Sequence, residues 1–167
     1  MTPKLRTLLI ALAVIVPLDQ LTKLWVVRSV SPWEPITLIE GLFRITHARN
    51  PGGAFGLAQD LPVWIFIAIT LVALWLITSF YRSLEADGVR QAASLGLILA
   101  GALGNLIDRL ARGEVIDFLQ FDLQLFIFPD FNVADSAIVI GVALLLLEAL
   151  MQQTGGKVSA EEVSGDG

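Results

Sequence analysis

The 167-residue sequence contains no cysteine and a single histidine, His47. The missing cysteines exclude disulfides, thiolate metal sites and cysteine nucleophiles. One imidazole excludes a histidine-rich metal site, and a serine–histidine–aspartate relay would have to use His47 itself. We expect His47 to be a residue of a strand and not a ligand.

Charge is also scarce. Only 16% of the residues are charged, whereas a soluble domain has about 25%. Apolar residues make up 55% of the chain, and the mean hydropathy is +0.73. This composition excludes a soluble globular fold, a disordered chain and a fibrous repeat. The net charge of −5 argues against a nucleic-acid partner.

Four apolar runs are long enough to cross a hydrocarbon core, which takes about 20 helical residues. The expected spans cover about residues 7–27, 61–80, 92–107 and 133–150. Lys4 and Arg6 precede the first run as in a signal peptide, but the helical pattern continues through Asp19, which predicts a retained span. Residues 1–151 therefore form one membrane domain, and the Gly-, Ser- and Glu-rich residues 152–167 are expected to be a disordered tail.

Four spans place segments 28–60 and 108–132 on one side of the membrane, opposite segment 81–91 and both termini. Most of the unusual polar residues fall on or next to that first side: Asn50, Asn105, Asp108, Arg109, Asp117, Asn132 and Asp135. Outside the spans, each side has five Lys and Arg residues, so the positive-inside rule does not orient the chain. The basic N-terminus weakly favours cytoplasmic termini.

Residues 43–46 and 120–125 alternate between apolar and polar side chains, which is typical of short strands. We expect a small sheet at the membrane surface, with residues 50–53 as a turn after the first strand. The predicted fold is an all-α membrane bundle of four helices that carries a small extramembrane β-sheet.

Small residues recur every four positions in the third span, at Ala92, Gly96, Ala100 and Gly104. Such a stripe lets another helix approach closely. The same step reaches Asp108, which is therefore expected to face the bundle. The stripe could equally be an oligomer face, which would make the protein an assembly subunit.

Asp117 follows the third span, and Asp135 lies in the first turn of the fourth. Two carboxyls brought close cannot both ionise cheaply, so one keeps its proton and the pair can act as base and acid on one water. The alternative is ordinary: Asn132 caps the helix, Asp135 favours the positive end of its dipole, and Asp117 is a solvated loop residue.

The other polar residues also have structural interpretations. Asp19 and Lys23 are four residues apart, as an interfacial ion pair would be, and Asp108 can pair with Arg112 one turn on. Arg109 can hold a backbone group or a carboxylate. The remaining candidates are amides that could orient a substrate backbone, or serve as a turn residue and an interhelical bond: Asn50 and Asn105.

These motifs, taken together on a four-span profile, resemble the lipoprotein signal peptidase family (signal peptidase II). Five segments carry the resemblance: Asp19-Gln20-Leu21-Thr22-Lys23, Asn50-Pro51-Gly52-Gly53-Ala54-Phe55, Gly104-Asn105-Leu106-Ile107-Asp108-Arg109, Val115-Ile116-Asp117-Phe118 and Phe131-Asn132-Val133-Ala134-Asp135. Gly53 departs from the family, which more often has Ala there, and this bears only on the stiffness of the turn.

The resemblance implies an aspartic endopeptidase of the bacterial inner membrane that cleaves prolipoprotein signal peptides before a diacylglyceryl cysteine. It implies a catalytic dyad of Asp117 and Asp135 at the periplasmic face, beside a cradle formed by the sheet, without metal or cofactor. It also implies a monomer that contacts lipid. The residues implied to line or support the substrate site are Asn50, Gly52, Asn105, Arg109, Asn132 and Ala134, and the structural supports are Asp19, Lys23 and Asp108.

The residues alone also leave open a different class of protein. A small transporter or channel could use the same carboxylates as an ion site. Carrier sites usually lie at the membrane midplane in broken helices, whereas these carboxylates lie near helix ends.

Overall fold

The computed structural model describes residues 1–52 and 60–164, with side chains of the last helix described as far as Met151. Four helices and three strands form the described chain. They are, in order, α1 (Pro3–Ser29), β1 (Ile36–Ile39), β2 (Phe43–Asn50), α2 (Val63–Ser83), α3 (Val89–Arg112), β3 (Val115–Phe121) and α4 (Val133–Ser164).

All four helices are long and apolar enough to cross a membrane, which confirms the predicted fold class. The third helix runs on to Arg112, past the predicted end at 107, because its charged last turn lies on the same buried face as the small residues. Gly113 ends it in the left-handed conformation, with φ of 78°, where glycine has no steric penalty.

The helix α4 continues beyond the predicted end of the last span to Ser164. The sequence predicts no regular structure after residue 151, whereas the helical backbone continues for thirteen more residues. Extending an existing helix is favourable because each added residue contributes one hydrogen bond. The prediction that residues 152–167 form a disordered tail stays a prediction.

The helix α3 lies at the centre of the bundle and packs against the other three helices. Its small residues are the reason for the close approach. A methyl group on Gly96 would lie 2.9 Å from the Ala11 side chain of α1, and one on Gly101 would lie 2.2 Å from the Ala134 carbonyl oxygen of α4. Gly96 of the stripe and Gly101 beside it are therefore used for packing within one chain, which removes the main reason to treat the stripe as an oligomer face.

The outer surfaces of α1, α2 and α4 are apolar and exposed. The helix α2 buries none of its residues, and Trp64 in its first turn is 64% exposed. Because lipid replaces water around a membrane helix, this arrangement is favourable only in a bilayer.

The strands form one antiparallel sheet in the order β1-β2-β3. The sheet was predicted correctly, but the second predicted strand was wrong: β3 covers 115–121 and not 120–125. Residues 115–118 are all buried, so the strand has a continuous apolar pattern around Asp117 and lacks the alternation of a half-buried strand.

A small apolar core fixes this sheet to the end of the bundle. Val26 and Val30 at the end of α1 pack against Ile45 of β2 and against Ile116 and Phe118 of β3. The sheet is thus attached beside the C-terminal end of α3 and the N-terminal end of α4, where the candidate carboxyls lie.

Candidate active site

Asp117 is the third residue of β3 and is only 3% exposed. Both of its oxygens accept hydrogen bonds from neutral amides. The Asn132 Nδ2 donates to Oδ1 at 2.7 Å, and the Asn50 Nδ2 donates to Oδ2 at 2.9 Å. The alternative of a solvated loop carboxylate is wrong, because Asp117 is a buried strand residue.

Asp135 lies in the first turn of α4. The Asn105 Nδ2 donates to its Oδ1 at 2.7 Å, and the backbone N–H of Asn132 donates to its Oδ2 at 3.3 Å. In return, the Asp135 backbone N–H donates to the Asn132 Oδ1 at 2.9 Å. This reciprocal pair is a capping box, with Asp in the third helical position. The capping role weighed from the sequence is therefore present in the structure.

Asn132 brings the two carboxyls together. Its side-chain amide donates to Asp117 while its backbone N–H donates to Asp135, so one fully buried residue contacts both acids. A helix cap and a carboxyl pair are thus built from the same residues and do not exclude each other.

The proton affinity of Asp117 is perturbed. Burial raises the pKa of its carboxyl from 3.8 to about 7, and the neighbouring charge of Asp135 also raises it. The hydrogen bonds from Asn50 and Asn132 act in the opposite direction, because they stabilise the carboxylate. Burial dominates, so Asp117 keeps its proton over most of the range below neutrality.

A cluster of opposite charges lies next to the carboxyl pair. The Lys23 Nζ is 2.9 Å from the Asp19 Oδ2 and 2.9 Å from the Asp108 Oδ2, and all three side chains are fully buried. The third N–H of the ammonium donates to the Asn105 Oδ1 at 3.0 Å. The predicted pair of Asp19 and Lys23 is confirmed, but it is buried and not interfacial.

Asp108 faces the bundle, as predicted, and it links several elements. It pairs with Arg112 one turn on and accepts the backbone N–H of Ile116 at 3.2 Å. The first contact stays within α3, and the second ties the start of β3 to that helix. The position of Asp117 one residue later therefore depends on Asp108.

Arg109 is partly buried over the ring of Phe66, with 5.4 Å between the guanidinium carbon and the ring centre. Its Nη1 donates to the Asn105 carbonyl oxygen at 3.4 Å, and its buried Nε has no hydrogen-bond partner within the described residues. Its charge interacts with both Asp117 and Asp135. Arg109 is thus a cation beside the pair with a free donor.

The other predicted site residues have defined places. The backbone N–H of Gly52 donates to the Asn50 Oδ1 at 3.1 Å, which forms a turn after β2, and residues 53–55 of that motif lie outside the described residues. Ala134 is fully buried, and its N–H donates to the Asp19 Oδ1 at 3.0 Å. His47 is a strand residue, as predicted.

Two residues of this region were missed or misread from the sequence. Gln20 donates to the Gly104 carbonyl oxygen and to Asp108, and a polar residue inside an apolar span was the available signal. Asp130 was not singled out as a site residue, yet it accepts bonds from Thr46 of β2 and Gln120 of β3. Thr46 is 84 residues away in the chain, so local alternation does not reveal this contact.

The fold and the site together define a class, a multi-pass membrane protein that holds two carboxyls and their amide donors at one end of a four-helix bundle. Residues 10–151 match the family described as signal peptidase (SPase) II. The chain therefore belongs to the signal peptidase II family of lipoprotein signal peptidases. The resemblance read from the motifs is confirmed, as is the prediction of an aspartic-peptidase enzyme.

Relatives support the same family. A lipoprotein signal peptidase of Geobacter metallireducens is 44% identical over 155 residues, covering 92% of this chain and 96% of the relative. One of Brevibacillus brevis is 46% identical over 140 residues, covering 83% and 91%. A solved bacterial membrane enzyme shares the fold with a TM-score of 0.82 at 32% identity, covering 90% and 91%. Together with the four spans, the family points to a multi-pass protein of the bacterial inner membrane.

Proposed function

We propose that this protein is an aspartic endopeptidase that removes signal peptides from prolipoproteins, cutting before a diacylglyceryl-modified cysteine, with Asp117 and Asp135 as the catalytic dyad. One observation carries the proposal: Asn132 hydrogen-bonds both carboxyls, one through its side chain and one through its backbone. Such a pair can share one proton, which is the requirement for acid and base catalysis on a single water.

The chemistry follows from the shared proton. One carboxylate takes a proton from water, the water oxygen bonds to the carbonyl carbon of the scissile bond, and the other carboxyl donates its own proton to the carbonyl oxygen. The tetrahedral diol then collapses, the amine leaves with a proton from the first group, and the second group regains its own. The dyad needs no metal or cofactor for this sequence.

The position of the pair suits a substrate that is itself a membrane helix. The acids lie at the ends of the spans, next to apolar surfaces of the bundle that face lipid. We assign the signal helix to the lipid-facing side and the cleavage site to the region of Arg109, whose free donor can bind a substrate carbonyl. The amides of Asn50, Asn105 and Asn132 hold the acids in place, and Gly52 and Ala134 shape the turn and the helix contact around them.

Processing of a purified substrate tests this function. The enzyme in detergent or vesicles should convert a diacylglyceryl prolipoprotein to the smaller form, seen as a gel shift, with or without a chelator. The matched control is the same preprotein without the lipid, which should stay uncut. Equal cleavage of both substrates would contradict the substrate assignment, and loss of activity with chelator would contradict the metal-free mechanism.

We also propose that the acids lie at the outer face of the membrane, in a monomer surrounded by lipid. The absence of cysteine from the chain makes a clean labelling test possible. Leu125, which is 96% exposed beyond β3, and Asp87, which is exposed between α2 and α3, are each replaced by cysteine. An impermeant maleimide should label Leu125→Cys in spheroplasts and Asp87→Cys only after lysis, and the reverse pattern would contradict the orientation.

A further inference from the structure

Three asparagines donate to the carboxyl pair, and each has its amide oxygen occupied by a group that can only donate. The Lys23 ammonium holds the Asn105 oxygen at 3.0 Å, the Asp135 N–H holds that of Asn132, and the Gly52 N–H holds that of Asn50. An amide whose oxygen is held in this way must turn its NH2 towards the acid. The orientation of all three amides is therefore fixed by chemistry.

Only at Asn105 is the amide oxygen held by side-chain donors. The oxygens of Asn132 and Asn50 are held by backbone N–H groups, which only a substitution to proline would remove. The Asn105 oxygen accepts from Lys23, a fully buried ammonium whose other two N–H groups contact Asp19 and Asp108, and it also accepts from the Asn132 Nδ2 at 3.2 Å. Lys23 is thus connected to Asp135 through a single amide.

The two acids differ in what stabilises a negative charge. Asp135 accepts a backbone N–H at the start of α4, where the helix dipole favours an anion, and it also accepts the Asn105 amide that Lys23 polarises. Asp117 accepts two neutral amides on a buried strand. Burial raises the pKa of Asp117 to about 7.

We propose that Lys23 is a positioning residue of the reaction: by holding the Asn105 oxygen, it directs the amide to Asp135 and keeps the resting proton of the pair on Asp117. Asp135 is then the base that takes a proton from water, and Asp117 is the acid that protonates the scissile carbonyl oxygen. The proposal rests on the peptidase function above and adds the direction of proton transfer to it.

Charges from two helices face the pair. The positively charged groups stabilise the ionised form of Asp135, and the negatively charged groups destabilise it. Removing Lys23 should therefore make the pair take up its second, inactivating proton at higher pH, whereas removing the charge of Asp19 should have the opposite effect. The charged groups concerned are Lys23 and Asp19 from α1, and Asp108 and Arg109 from α3, with Arg112 on Asp108.

The experiment is the pH–rate profile of prolipoprotein cleavage. The acid limb should move up by about one pH unit in Lys23→Met and down by a similar amount in Asp19→Asn, as expected for a charge a few ångströms from a titrating pair. Gly96→Ala is the control, because it disturbs the α1–α3 contact without changing any charge, and its acid limb should stay in place. Shifts of the acid limb in opposite directions in Lys23→Met and Asp19→Asn support the positioning role of Lys23.

A purely structural role predicts a different result. All three variants would then lower the folded fraction and leave the acid limb unmoved, which would overturn the proposal. If Lys23→Met fails to fold, Asp19→Asn decides alone, because it keeps Lys23 and Asn105 in place, and an unmoved limb in that variant overturns the proposal. Failure of the peptidase function is a separate outcome, since it would appear as absent cleavage by the wild type.

Discussion

The molecule contains two adjacent buried polar regions that are built on opposite principles. In the ion cluster, defined as Asp19, Lys23, Asp108 and Arg112, each charge contacts an opposite charge. In the carboxyl pair, Asp117 and Asp135 accept hydrogen bonds from neutral amides and from the backbone. Asn105 connects the two regions, since its oxygen faces Lys23 and its nitrogen faces Asp135.

This difference separates stability from reactivity. Buried charges that are neutralised by their partners have no reason to change their protonation, and breaking them costs stability. Buried carboxyls without a direct counter-ion retain a proton that they can give up. The ion cluster therefore supports the fold and, through the contact of Lys23 with Asn105, positions Asp135, whereas the carboxyl pair itself is suited to proton transfer.

Removing either acid of the carboxyl pair should have the largest effect. Asp117→Asn and Asp135→Asn should each reduce cleavage at least about 1000-fold, because general acid and base catalysis needs both groups. Their melting temperatures at pH 7.5 should stay near that of the wild type. Asp122→Asn, which changes a carboxylate on the same side of the membrane, is the control and should cleave normally. Wild-type rates in either dyad variant would mean that the pair is not catalytic.

Breaking the ion cluster should instead act on folding. Asp108→Ala leaves Lys23 with one acidic partner and frees the Ile116 N–H, so we expect a loss of about 3–5 kcal/mol in the free energy of unfolding. Glu114→Ala breaks only the pair with Arg49, which is 60% exposed, and should cost less than about 1 kcal/mol. Denaturant titration in detergent compares the two, and equal losses would contradict the distinction between buried and exposed pairs.

The carboxyl pair should also make stability depend on pH. The folded pKa of Asp117 is about 7, whereas an unfolded Asp has a pKa of about 3.9. Its protonated form therefore adds stability that is complete below pH 4 and is lost as the pH rises towards 7, by up to about 4 kcal/mol. Melting temperatures between pH 4 and 8 should fall more steeply for the wild type than for Asp117→Asn. Parallel curves would show that Asp117 ionises normally.

Substitutions that disturb the helix packing should have smaller effects on stability and cleavage. Their effect on cleavage should depend on which helix is displaced. A methyl group in Gly101→Ala would meet the Ala134 backbone of α4, the residue before Asp135. We expect a loss of about 1–3 kcal/mol and a fall in cleavage of about ten-fold or more, because a small displacement of a catalytic group is costly. Gly96→Ala presses on α1 instead and should lower stability with little change in rate. Similar rates for both would contradict the coupling of the α3–α4 contact to the site.

Local patterns predicted the parts that depend on neighbouring residues. Apolar runs predicted the four spans, the four-residue stripe predicted the close contacts of α3, and the spacing of Asp19 and Lys23 predicted their ion pair. The placement of Asp117 and Asp135 made them a candidate pair but left a helix cap and a solvated loop residue as the alternative. The resemblance of the motifs to a known family favoured the catalytic assignment, which stays a prediction.

Long-range contacts were not predictable in the same way. The position of β3 was wrong because its residues are buried on both faces, so they do not alternate. The bond from Lys23 to Asn105 joins residues 82 positions apart, and nothing in either motif indicates that the amide is shared between a cation and an acid. Only the packing of α1 and α4 on α3 brings these groups into contact.

The central claim is that Asp117 and Asp135 share one proton, and a carboxyl carbon-13 titration of labelled protein in detergent tests it directly. We predict that Asp117 titrates near pH 7 in the wild type, and that the midpoint falls in Asp135→Asn, because the charge of Asp135 contributes to raising the pKa of Asp117. Two carboxyls that titrate independently near pH 4, unaffected by each other's replacement, would contradict the account.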